Sequence, residues 1–462
     1  MPAPTPINAA PPKLAGARVV VVGAARSGLA LTRFLLSRQA RVVLTDSRPS
    51  ADLDPAVTEL AREGATLELG GHDSGSFERA DLVAVSPGVP LSIAPLAAAR
   101  RRGVRVVAEV ELASWFVKGI MIGITGSNGK TTTTALTAHL LSHAGLKATA
   151  CGNIGTPLID MVPRAAPDHY YVAELSSFQL EGIETLRPWI GVLLNLSPDH
   201  QDRYPSPQTY YQAKCRLFMN QGAADHAILN ADDPEVRGLE PVIRARVSLF
   251  SGSADLPQGA CLKDGGIVVR NRGREHRVLA TGDLPLFGTH NIENAMAALL
   301  VADLCGVPMP KAAQGLRLFR GLPHRLERVR ELQGVTWYND SKATNVGATL
   351  KSLESFPGRR IVLILGGHDK GGDFKALAPL VRDRVAHLVL MGEARSTIDA
   401  QVGAIAPATQ VATMEEAVRA ARDAAPPGGV VLLAPACASF DLYSGYEARG
   451  DDFRRRVLAL QD

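Results

Sequence analysis

The stretch TGSNGKTTTT at residues 125–134 constrains this chain more than any other, because it follows the apolar run 120–124 and precedes a helical pattern. A strand that leads into glycines, then Lys-Thr, then a helix is the layout of a phosphate-binding loop. Gly126 and Gly129 allow the backbone N–H groups to turn towards phosphate oxygens. The general GxxxxGK[ST] pattern has a glycine where this chain has Ile124. The alternative interpretation is therefore a glycine turn followed by an exposed lysine.

Two side chains after the glycines supply the chemistry that this loop needs. Lys130 adds a mobile cation, and Thr131 offers a hydroxyl to Mg²⁺ at the positive end of the following helix. These features predict an enzyme that uses ATP. The predicted nucleotide-binding residues of the loop are Gly126, Asn128, Gly129, Lys130, Thr131 and Thr132.

Composition excludes several classes of protein. A net charge of +4 over 462 residues is small, so it does not favour nucleic-acid binding. The five cysteines are scattered and lack CxxC spacing, which favours a reducing compartment over a disulfide framework. No apolar run is long enough to span a bilayer, and the proline-rich start lacks a signal-peptide pattern. We expect a cytoplasmic protein that does not insert into membranes.

Strands alternate with helices in three blocks, which predicts an α/β fold of three domains. After a disordered lead-in over 1–15, we expect a Rossmann-like substrate domain over 16–108. A P-loop ATPase-like domain with a parallel sheet and a small antiparallel insertion (245–285) is predicted over 109–320. A second Rossmann-like domain is predicted over 321–462.

The first block contains a β-branched strand at 18–22, the segment GAARSG at 23–28 and a second strand that ends near Asp46. Asp46 lies where a ribose-binding acid falls in dinucleotide-binding folds. Ala25, however, replaces the second glycine of GxGxxG, which allows close approach of a pyrophosphate. The block therefore favours a nucleotide or sugar-nucleotide pocket over a nicotinamide site.

The second block places polar side chains after two further strands. Glu174 ends a predicted strand, where a carboxylate beside a phosphate loop can hold Mg²⁺; a helix N-terminal acid is the alternative. His200, in the segment DHQDRYPS, is expected at the same sheet edge. Lys214 falls on a predicted amphipathic helix over 208–219, where a surface lysine is the default interpretation.

The third block opens with the segment GLPHRLE, whose glycine and proline are typical of a hinge, and Arg325 within it can reach phosphates. The segment NDSKATN follows a predicted strand. It offers Asp340 for ribose or metal, Lys342 for phosphate and Thr344 for a small anionic substrate.

Taken in order, the motifs of this chain resemble those of the Mur ligase family, the ATP-dependent amide ligases of bacterial peptidoglycan synthesis. The resemblance begins near residue 16 and rests on GSNGKTT, GNIGTP, ELSSFQLE, DHQDRY, YQAKCRLF, THNIENA, GLPHRLE, NDSKATN and GGHDK. Within the family, NDSKATN, DHQDRYPS and ACASFDLYSGYEARGDDF are most similar to the branch that adds D-glutamate to UDP-N-acetylmuramoyl-L-alanine (UDP-MurNAc-L-Ala). The resemblance implies a monomeric enzyme that forms an acyl phosphate and then a tetrahedral intermediate.

The same resemblance implies roles for individual residues. Catalytic roles fall to Lys130, His200 and Lys214, and the two Mg²⁺ ions to Thr131, Glu174, His200 and Lys214. Lys214 would be carbamylated, which reverses the default interpretation. Further ATP contacts fall to Asn294, Arg325, Asp340 and Lys342.

Substrate-binding roles implied by the resemblance divide into three groups. The uridine nucleotide falls to Ser27, Asp46, Ser47, Arg48, Ser86 and Gly88. Asn153 and Ser176 are implied near the reacting carboxylate and the uridine nucleotide substrate. D-Glutamate falls to Thr344, Lys370, Ser439 and Tyr446.

Other hypotheses stay open at this point. A folylpolyglutamate synthase, or a family member adding a different amino acid, has the same fold and chemistry. Two further hypotheses belong to other classes. A nicotinamide-dependent oxidoreductase predicts saturable NADH binding without nucleotide-sugar binding. A non-catalytic ATP-binding switch predicts ATP-driven domain movement without net ADP production.

Overall fold

A computed structural model describes residues 11–201, 203–271, 273–286, 288–369 and 371–461, without the side chains of Arg164 and Thr289. The chain forms two compact units. One runs to Leu284 and includes His290–Phe319, and the other comprises Pro285–Thr289 and the chain from Arg320 onward. Three β-sheets make up the α/β architecture, two in the first unit and one in the second.

The first sheet is entirely parallel, in the order β3-β2-β1-β4-β5. Its strands are β1 (Arg18–Val22), β2 (Arg41–Asp46), β3 (Thr66–Leu69), β4 (Leu82–Val85) and β5 (Arg105–Ala108). The accompanying helices are α1 (Arg26–Ser37), α2 (Ala56–Arg62), α3 (Ser74–Glu78), α4 (Ala94–Arg101) and α5 (Glu109–Phe116). The strand order reverses between β1 and β4, and such a switch point is where ligands bind in open α/β sheets.

The second sheet has the order β14-β13-β12-β11-β10-β9-β6-β8-β7. Its strands are β6 (Ile120–Thr125), β7 (Ala148–Gly152), β8 (Tyr170–Glu174), β9 (Ile190–Leu193), β10 (His226–Asn230), β11 (Arg246–Ser251), β12 (Gly259–Lys263), β13 (Gly266–Asn271) and β14 (Arg274–Ala280). Its helices are α6 (Lys130–His143), α7 (Leu158–Met161), α8 (Ser177–Glu181), α9 (Pro207–Cys215), α10 (Pro234–Arg237), α11 (Thr289–Leu304) and α12 (Met309–Leu318).

β6 lies between β8 and β9, and all six of its residues are buried. A strand covered on both faces reads as a continuous apolar run, which is why 120–124 is recognisable in the sequence. Parallel pairing brings the carboxyl ends of β6, β8 and β9 to one edge of the sheet. The phosphate loop, Glu174 and the segment after β9 therefore meet there.

The predicted insertion over 245–285 differs from the structure in one respect. β13 pairs antiparallel with β12 and with β14, as predicted, but β11 pairs in parallel with β10 and with β12. These strands extend the central sheet instead of forming a separate one.

The helix predicted over 208–219 is shorter in the structure. It ends as α9 at Cys215, and the chain continues as a 3₁₀ turn at Arg216–Phe218.

The third sheet, in the second unit, has the order β15-β16-β20-β17-β18-β19. Its strands are β15 (Glu327–Leu332), β16 (Val335–Asn339), β17 (Ile361–Gly366), β18 (Val385–Met391), β19 (Ala408–Gln410) and β20 (Val430–Leu433). Its helices are α13 (Val346–Glu354), α14 (Ala378–Arg384), α15 (Arg395–Ile398), α16 (Met414–Ala424) and α17 (Tyr446–Leu458). All pairs are parallel except β15 with β16.

Short irregular turns complete the described structure. They are 3₁₀ turns at Ser50–Asp52, Val162–Arg164, Arg216–Phe218, Glu240–Val242, Thr281–Asp283 and Phe374–Leu377, and a π turn at Asp399–Gly403. Every cysteine is a free thiol. Among the described residues, no helix combines the length and apolar character that a membrane span requires. The three-domain α/β architecture is as predicted, whereas the boundaries at 108/109 and 320/321 stay predictions.

Candidate functional site

The loop between β6 and α6 has the backbone that a phosphate site needs. Gly126 has φ 152° and Gly129 has φ 82°, conformations that favour glycine. A Cβ added at Gly129 would lie 2.4 Å from Asn294 Oδ1, so no larger residue fits there without a shift. Gly129 caps α6, whose N-terminal N–H groups and dipole favour an anion.

The segment after β9 braces this loop from the neighbouring strand. Asn195 Oδ1 accepts a hydrogen bond from the backbone N–H of Asn128 at 2.8 Å. The Ser127 hydroxyl donates to Ser197 O and accepts from Ser197 N, both at 2.9 Å. The loop is thus held in its curved form by side chains that the sequence analysis did not single out.

Two lysines converge on one backbone oxygen in this loop. Lys130 Nζ donates to Gly126 O and to Ser127 O at 2.8 Å. Lys214 Nζ, from α9, also donates to Gly126 O at 2.8 Å. The structure brings together two of the three residues predicted to be catalytic.

Lys214 is 1% exposed, so it is not the surface lysine that helix periodicity favours. Its ammonium lies 4.5 Å from the centre of the Tyr210 ring. Burial and the positive charge of Lys130 lower the pKa of Lys214 to about 6, although Asp199 and Glu174 act in the opposite direction. Burial and Lys130 thus both favour the neutral amine of Lys214 over the ammonium.

Glu174 ends β8 beside this loop and is 2% exposed. Its Oε1 accepts a hydrogen bond from Asn153 Nδ2 at 2.8 Å, whereas its buried Oε2 has no hydrogen-bond partner among the described residues. A buried carboxylate oxygen without a donor fits a cation ligand, because an unsatisfied buried oxygen is otherwise costly. Within the described ranges, no three His, Cys, Asp or Glu residues cluster as a preformed metal site.

His200 lies on the loop after β9, with a left-handed backbone at φ 51°. Its side chain is 44% exposed, and its ring centre lies 4.8 Å from that of Phe178 and 5.9 Å from that of Tyr210. The same Tyr210 ring contacts Lys214, so His200 and Lys214 flank one aromatic side chain. Thr131 and Thr132 lie in the first turn of α6 and are half-buried.

Asn294 packs behind the phosphate loop from α11. It is 3% exposed, accepts from the Thr133 hydroxyl at 3.1 Å and donates to Asn291 Oδ1 at 3.0 Å. Together with the close approach to Gly129, these contacts place the Asn294 amide against the base of the loop.

A cleft of about 240 Å³ lies at the switch point of the first sheet. The turns after β1 and β4 form one side of the cleft, and the segment after β7 forms the other. Across the switch point, the hydroxyl of Ser86 donates a hydrogen bond to Gly23 O at 3.0 Å. Predicted substrate residues in its wall are Ser27, Ser86, Gly88 and Asn153; the other lining residues are Ala25, Arg26, Pro87, Gly152, Gly155, Pro157 and Gln179.

Gln179 is a cleft residue that sequence reasoning missed. It forms a capping box with Ser176 at the start of α8: Ser176 Oγ accepts from Gln179 N, and Gln179 Oε1 accepts from Ser176 N. An S-x-x-Q spacing before a helix is the signal that would have identified the pair. The predicted residue Ser176 is thus tied to the cleft through its cap.

Asp46, at the end of β2, is buried and fully engaged within the protein. Its carboxylate accepts from Ala24 N, Arg48 N and the Arg48 guanidinium at 2.8 to 3.0 Å. Burial alone would raise the pKa of Asp46, but these hydrogen bonds outweigh it and lower the pKa to about 2. Asp46 therefore shapes the turn that carries Ser47 and the half-exposed Arg48.

Arg203 connects the two sheets of the first unit. Its guanidinium lies 2.9 Å from Glu181 Oε2 and 4.0 Å from the Phe178 ring centre. The guanidinium also donates hydrogen bonds to two backbone oxygens in the turn after β4, Pro87 O and Val89 O, each at 3.4 Å. The segment that carries His200 is thereby tied to the turn that carries Ser86 and Gly88.

The second unit gathers its predicted residues around the end of β16. Asp340 accepts from Leu326 N at 3.3 Å and from the Ser352 hydroxyl. Burial raises the pKa of Asp340, and the Ser352 hydrogen bond and the charge of Arg325 oppose this. Lys342 Nζ lies 4.0 Å from the Tyr446 ring centre, a cation–π distance.

The remaining amino-acid-site residues lie on loops after the strands. Ser439 is buried and directly follows Ala438, which forms an isolated β-bridge with His368. The backbone N–H of Thr344 donates a hydrogen bond to Lys342 O at 2.8 Å. Burial raises the pKa of Tyr446 to about 12, and a hydrogen bond with Glu447 acts in the same direction. Lys370 lies outside the described residues.

Left-handed backbone at non-glycine residues is concentrated in the predicted motifs. His200 (51°), His324 (63°), Leu326 (42°) and Ala436 (60°) all have positive φ. Such conformations cost on the order of 1 kcal/mol each and persist where the surroundings fix them. Two of them flank Arg325, which indicates a loop held in one defined shape.

Known proteins match this chain along nearly its whole length. The MurD-like N-terminal domain of Mur ligases matches residues 17–108, the Mur ligase middle domain 124–302, and the Mur ligase glutamate ligase domain 324–437. The UDP-N-acetylmuramoylalanine--D-glutamate ligase of Geotalea uraniireducens (strain Rf4) is 47% identical over 450 residues, 97% of this chain and 99% of that protein. The ligase of the same name from Pelotomaculum thermopropionicum is 44% identical and covers 96% of this chain and 98% of its own.

Solved structures share the fold at lower identity. The UDP-N-acetylmuramate-alanine ligase MurC from Thermotoga maritima has a TM-score of 0.59 at 19% identity, over 96% of this chain and 99% of its own. MurF from Acinetobacter baumannii has a TM-score of 0.58 at 17% identity, over 92% of this chain and 88% of its own.

Proposed function

Since this chain belongs to the Mur ligase family, we propose that it joins D-glutamate to UDP-MurNAc-L-Ala and converts one ATP to ADP and phosphate. The chemistry is carried by one arrangement, in which Lys130 and Lys214 share the carbonyl oxygen of Gly126 beside the unpartnered oxygen of Glu174. The choice of amino acid rests on relatives that are 47% and 44% identical and bear this activity in their names.

The phosphate loop would hold the triphosphate of ATP. Backbone N–H groups at the start of α6 and the ammonium of Lys130 supply positive charge, and Asn294 supports the loop from behind. Thr131 and Glu174 would offer oxygen ligands to a first Mg²⁺. An imidazole nitrogen of His200 and a carbamate oxygen of Lys214 would be the ligands of a second. Bound Mg²⁺ would offset the charge of the phosphates and of the attacking carboxylate.

Carbamylation of Lys214 would give that site an oxygen donor. The neutral amine attacks the carbon of CO₂, an N–C bond forms, and a proton leaves the nitrogen to give a carbamate. Burial and the nearby Lys130 favour the neutral amine that this step needs. An ammonium at that position would instead repel a cation.

The reaction would proceed in two displacements. A carboxylate oxygen of UDP-MurNAc-L-Ala attacks the γ-phosphorus of ATP, the bond to the bridging oxygen breaks, and ADP leaves. The amine of D-glutamate then attacks the acyl carbon, loses a proton, and inorganic phosphate departs from the tetrahedral intermediate. Lys130 would stabilise negative charge on the phosphoryl group during the first displacement.

The cleft in the first unit and the loops after the strands of the second unit provide the proposed substrate positions. The cleft with Ser27, Ser86, Gly88 and Asn153 would hold the uridine nucleotide, with Asp46, Ser47 and Arg48 shaping its edge, and Ser176 would lie near the reacting carboxylate. Arg325, Asp340 and Lys342 would contact ATP. Thr344, Lys370, Ser439 and Tyr446 would hold D-glutamate. We further propose a monomer that acts in the cytoplasm, where ATP and the precursor occur.

ADP release with single amino acids tests this proposal. With ATP, Mg²⁺ and UDP-MurNAc-L-Ala, D-glutamate should stimulate ADP formation, whereas L-glutamate, glycine and meso-diaminopimelate should not. Stimulation by a different amino acid would assign the chain to another Mur activity. Stimulation only when a folate replaces the sugar nucleotide would favour a folylpolyglutamate synthase.

A further inference from the structure

Arg449, on α17, is a buried cation that the proposed reaction does not use. The residue is 2% exposed, although arginine is rarely buried without a charged partner. Burial lowers the pKa of Arg449 only to about 10, so the guanidinium stays charged at neutral pH.

The five N–H groups of this guanidinium all donate to neutral oxygens. Nε donates to Ser341 Oγ at 3.0 Å, and Nη2 donates to Ser341 O at 2.9 Å and Cys437 O at 3.1 Å. Nη1 donates to Gly366 O at 3.3 Å and Ala438 O at 3.1 Å. Arginine has five such donors, so every one of them is satisfied.

These acceptors belong to three different strand ends. Ser341 follows β16, Gly366 ends β17, and Cys437 and Ala438 follow β20. Each of these strand ends leads into a segment that carries a residue predicted for the amino acid, and Tyr446 lies one turn before Arg449 on α17. The Ser341 hydroxyl, which accepts from Arg449, donates to Tyr446 O at 2.8 Å. One side chain thus fixes the relative positions of all these loops.

No carboxylate accepts a hydrogen bond from Arg449 among the described residues, although the charge of Asp441 acts on the guanidinium and raises its pKa. Burying an ion costs several kcal/mol, and backbone carbonyls solvate a guanidinium without cancelling its charge. Hydrogen bonds from a charged donor are stronger than those from a neutral one, which suits a residue that ties several strand ends together. Because Asp441 offsets the charge only through space, we infer that part of the positive field remains at this sheet edge, where it favours a substrate that carries more than one carboxylate.

We propose that Arg449 is a positioning residue that holds the three strand ends around the amino-acid substrate and biases this site towards a dicarboxylic amino acid. The identity of that amino acid as D-glutamate rests on the proposed function. The positioning role itself does not depend on that identity.

Arg449→Ala tests the proposal, with Arg455→Ala as the matched control on the same helix, since Arg455 is 74% exposed. We expect the KM for the amino acid to rise by about tenfold or more, while the KM values for ATP and the nucleotide substrate change by less than about twofold. Millimolar methylguanidinium should restore much of the lost affinity by occupying the vacated space, and tetramethylammonium at equal concentration should not. Arg449→Lys keeps the charge with only three donors, so its KM should lie between those of the wild type and Arg449→Ala.

Equal rises in all KM values together with a lowered Tm and no rescue would overturn the proposal in favour of a purely structural role. An unchanged KM for the amino acid would overturn it as well. If Arg449→Ala does not fold, Arg449→Lys is compared with the wild type instead. The deciding quantity is again the rise in KM for the amino acid relative to the rise in KM for ATP and for the nucleotide substrate. If the wild-type enzyme uses another amino acid, the ratios are measured with that one, so failure of the proposed function is recognised separately.

Discussion

Lys130 and Lys214 donate hydrogen bonds to the same backbone oxygen, that of Gly126, each at 2.8 Å. Two ammonium groups on one acceptor repel each other, and the one that is buried loses its proton more easily. Lys214 is that residue, with a pKa lowered to about 6 by burial first and by Lys130 second. The phosphate loop thus creates a nucleophilic amine next to the position proposed for metal and phosphate.

Lys214→Ala should lower kcat by about a hundredfold or more, because it removes the proposed oxygen ligand from the site. Short carboxylic acids such as acetate or propionate should restore part of the activity by occupying the place of the carbamate. Initial rates of ADP release, with and without the acid, give the measurement. Lys147→Ala is the control, because Lys147 is 65% exposed and pairs with Asp168.

A Lys214→Ala enzyme with wild-type kcat would refute the ligand role. Loss of activity without any rescue, at acid concentrations that leave the wild type unaffected, would argue for a packing role instead.

Gly129→Ala should abolish ATP binding, whereas Gly145→Ala at the other end of α6 should not. Both positions have positive φ, 82° and 92°, so both substitutions carry a similar backbone penalty of about 1 kcal/mol. Only at Gly129 does the added Cβ meet a neighbour, Asn294 Oδ1 at 2.4 Å, and Gly145 has open space. Calorimetric titration with ATP distinguishes the two variants, and equal affinities would show that the fit at Gly129 is unimportant.

Local patterns allowed most of the fold to be predicted. Buried parallel strands such as β6 and β17 read as continuous apolar runs, and polar motifs follow directly where these strands end. Because parallel strand ends share one sheet edge, Lys130 and Glu174 were expected together without any knowledge of packing. The depth of Lys214 was not evident from the sequence, because a lysine on an amphipathic helix is most often solvated. In the structure Lys214 instead shares the buried face of α9 with Tyr210 and Ala213.

Residues whose contacts are far away in the sequence were not predicted. Arg449 contacts Ser341 across 108 positions, and Arg203 contacts Pro87 across 116. Neither belongs to a recognisable local spacing, and an arginine on a helix is most often solvated. The pairing of β11 with β10 was missed for a related reason, because short strands with glycine turns look alike in parallel and antiparallel sheets.

Glu109→Gln should stabilise the protein, and the gain should grow as pH rises from 5 to 8. Glu109 is fully buried, accepts from Ile159 N at 2.9 Å, and burial raises its pKa from 4.5 to about 7. Below pH 4.5 both folded and unfolded states hold the proton; between 4.5 and 7 the unfolded state releases it first, so stability falls as pH rises.

Glutamine mimics the protonated acid and removes that loss, worth on the order of 1 to 3 kcal/mol above pH 7. Thermal unfolding of both proteins at each pH provides the comparison. A difference in Tm that is constant across the range would show that Glu109 does not titrate in this window.

Arg203→Met should raise the KM for the nucleotide substrate several-fold, with a smaller effect on the KM for ATP. The change removes the ion pair with Glu181 and the hydrogen bonds to Pro87 O and Val89 O, so the turn after β4 loses its tether to the segment of His200. Arg237→Met, which removes an exposed ion pair with Glu240, provides the control. Equal changes in both KM values would place the effect on the fold as a whole.

Product analysis by mass spectrometry tests the central claim most directly. The enzyme is incubated with ATP, Mg²⁺, UDP-MurNAc-L-Ala and an equimolar mixture of D-glutamate, L-glutamate, glycine, L-lysine and meso-diaminopimelate. We predict one nucleotide product, with the mass of the substrate plus one glutamyl residue, containing the D-enantiomer after hydrolysis and formed with one ADP per product. A different amino acid in the product, or ADP formed without any amide, would contradict the account.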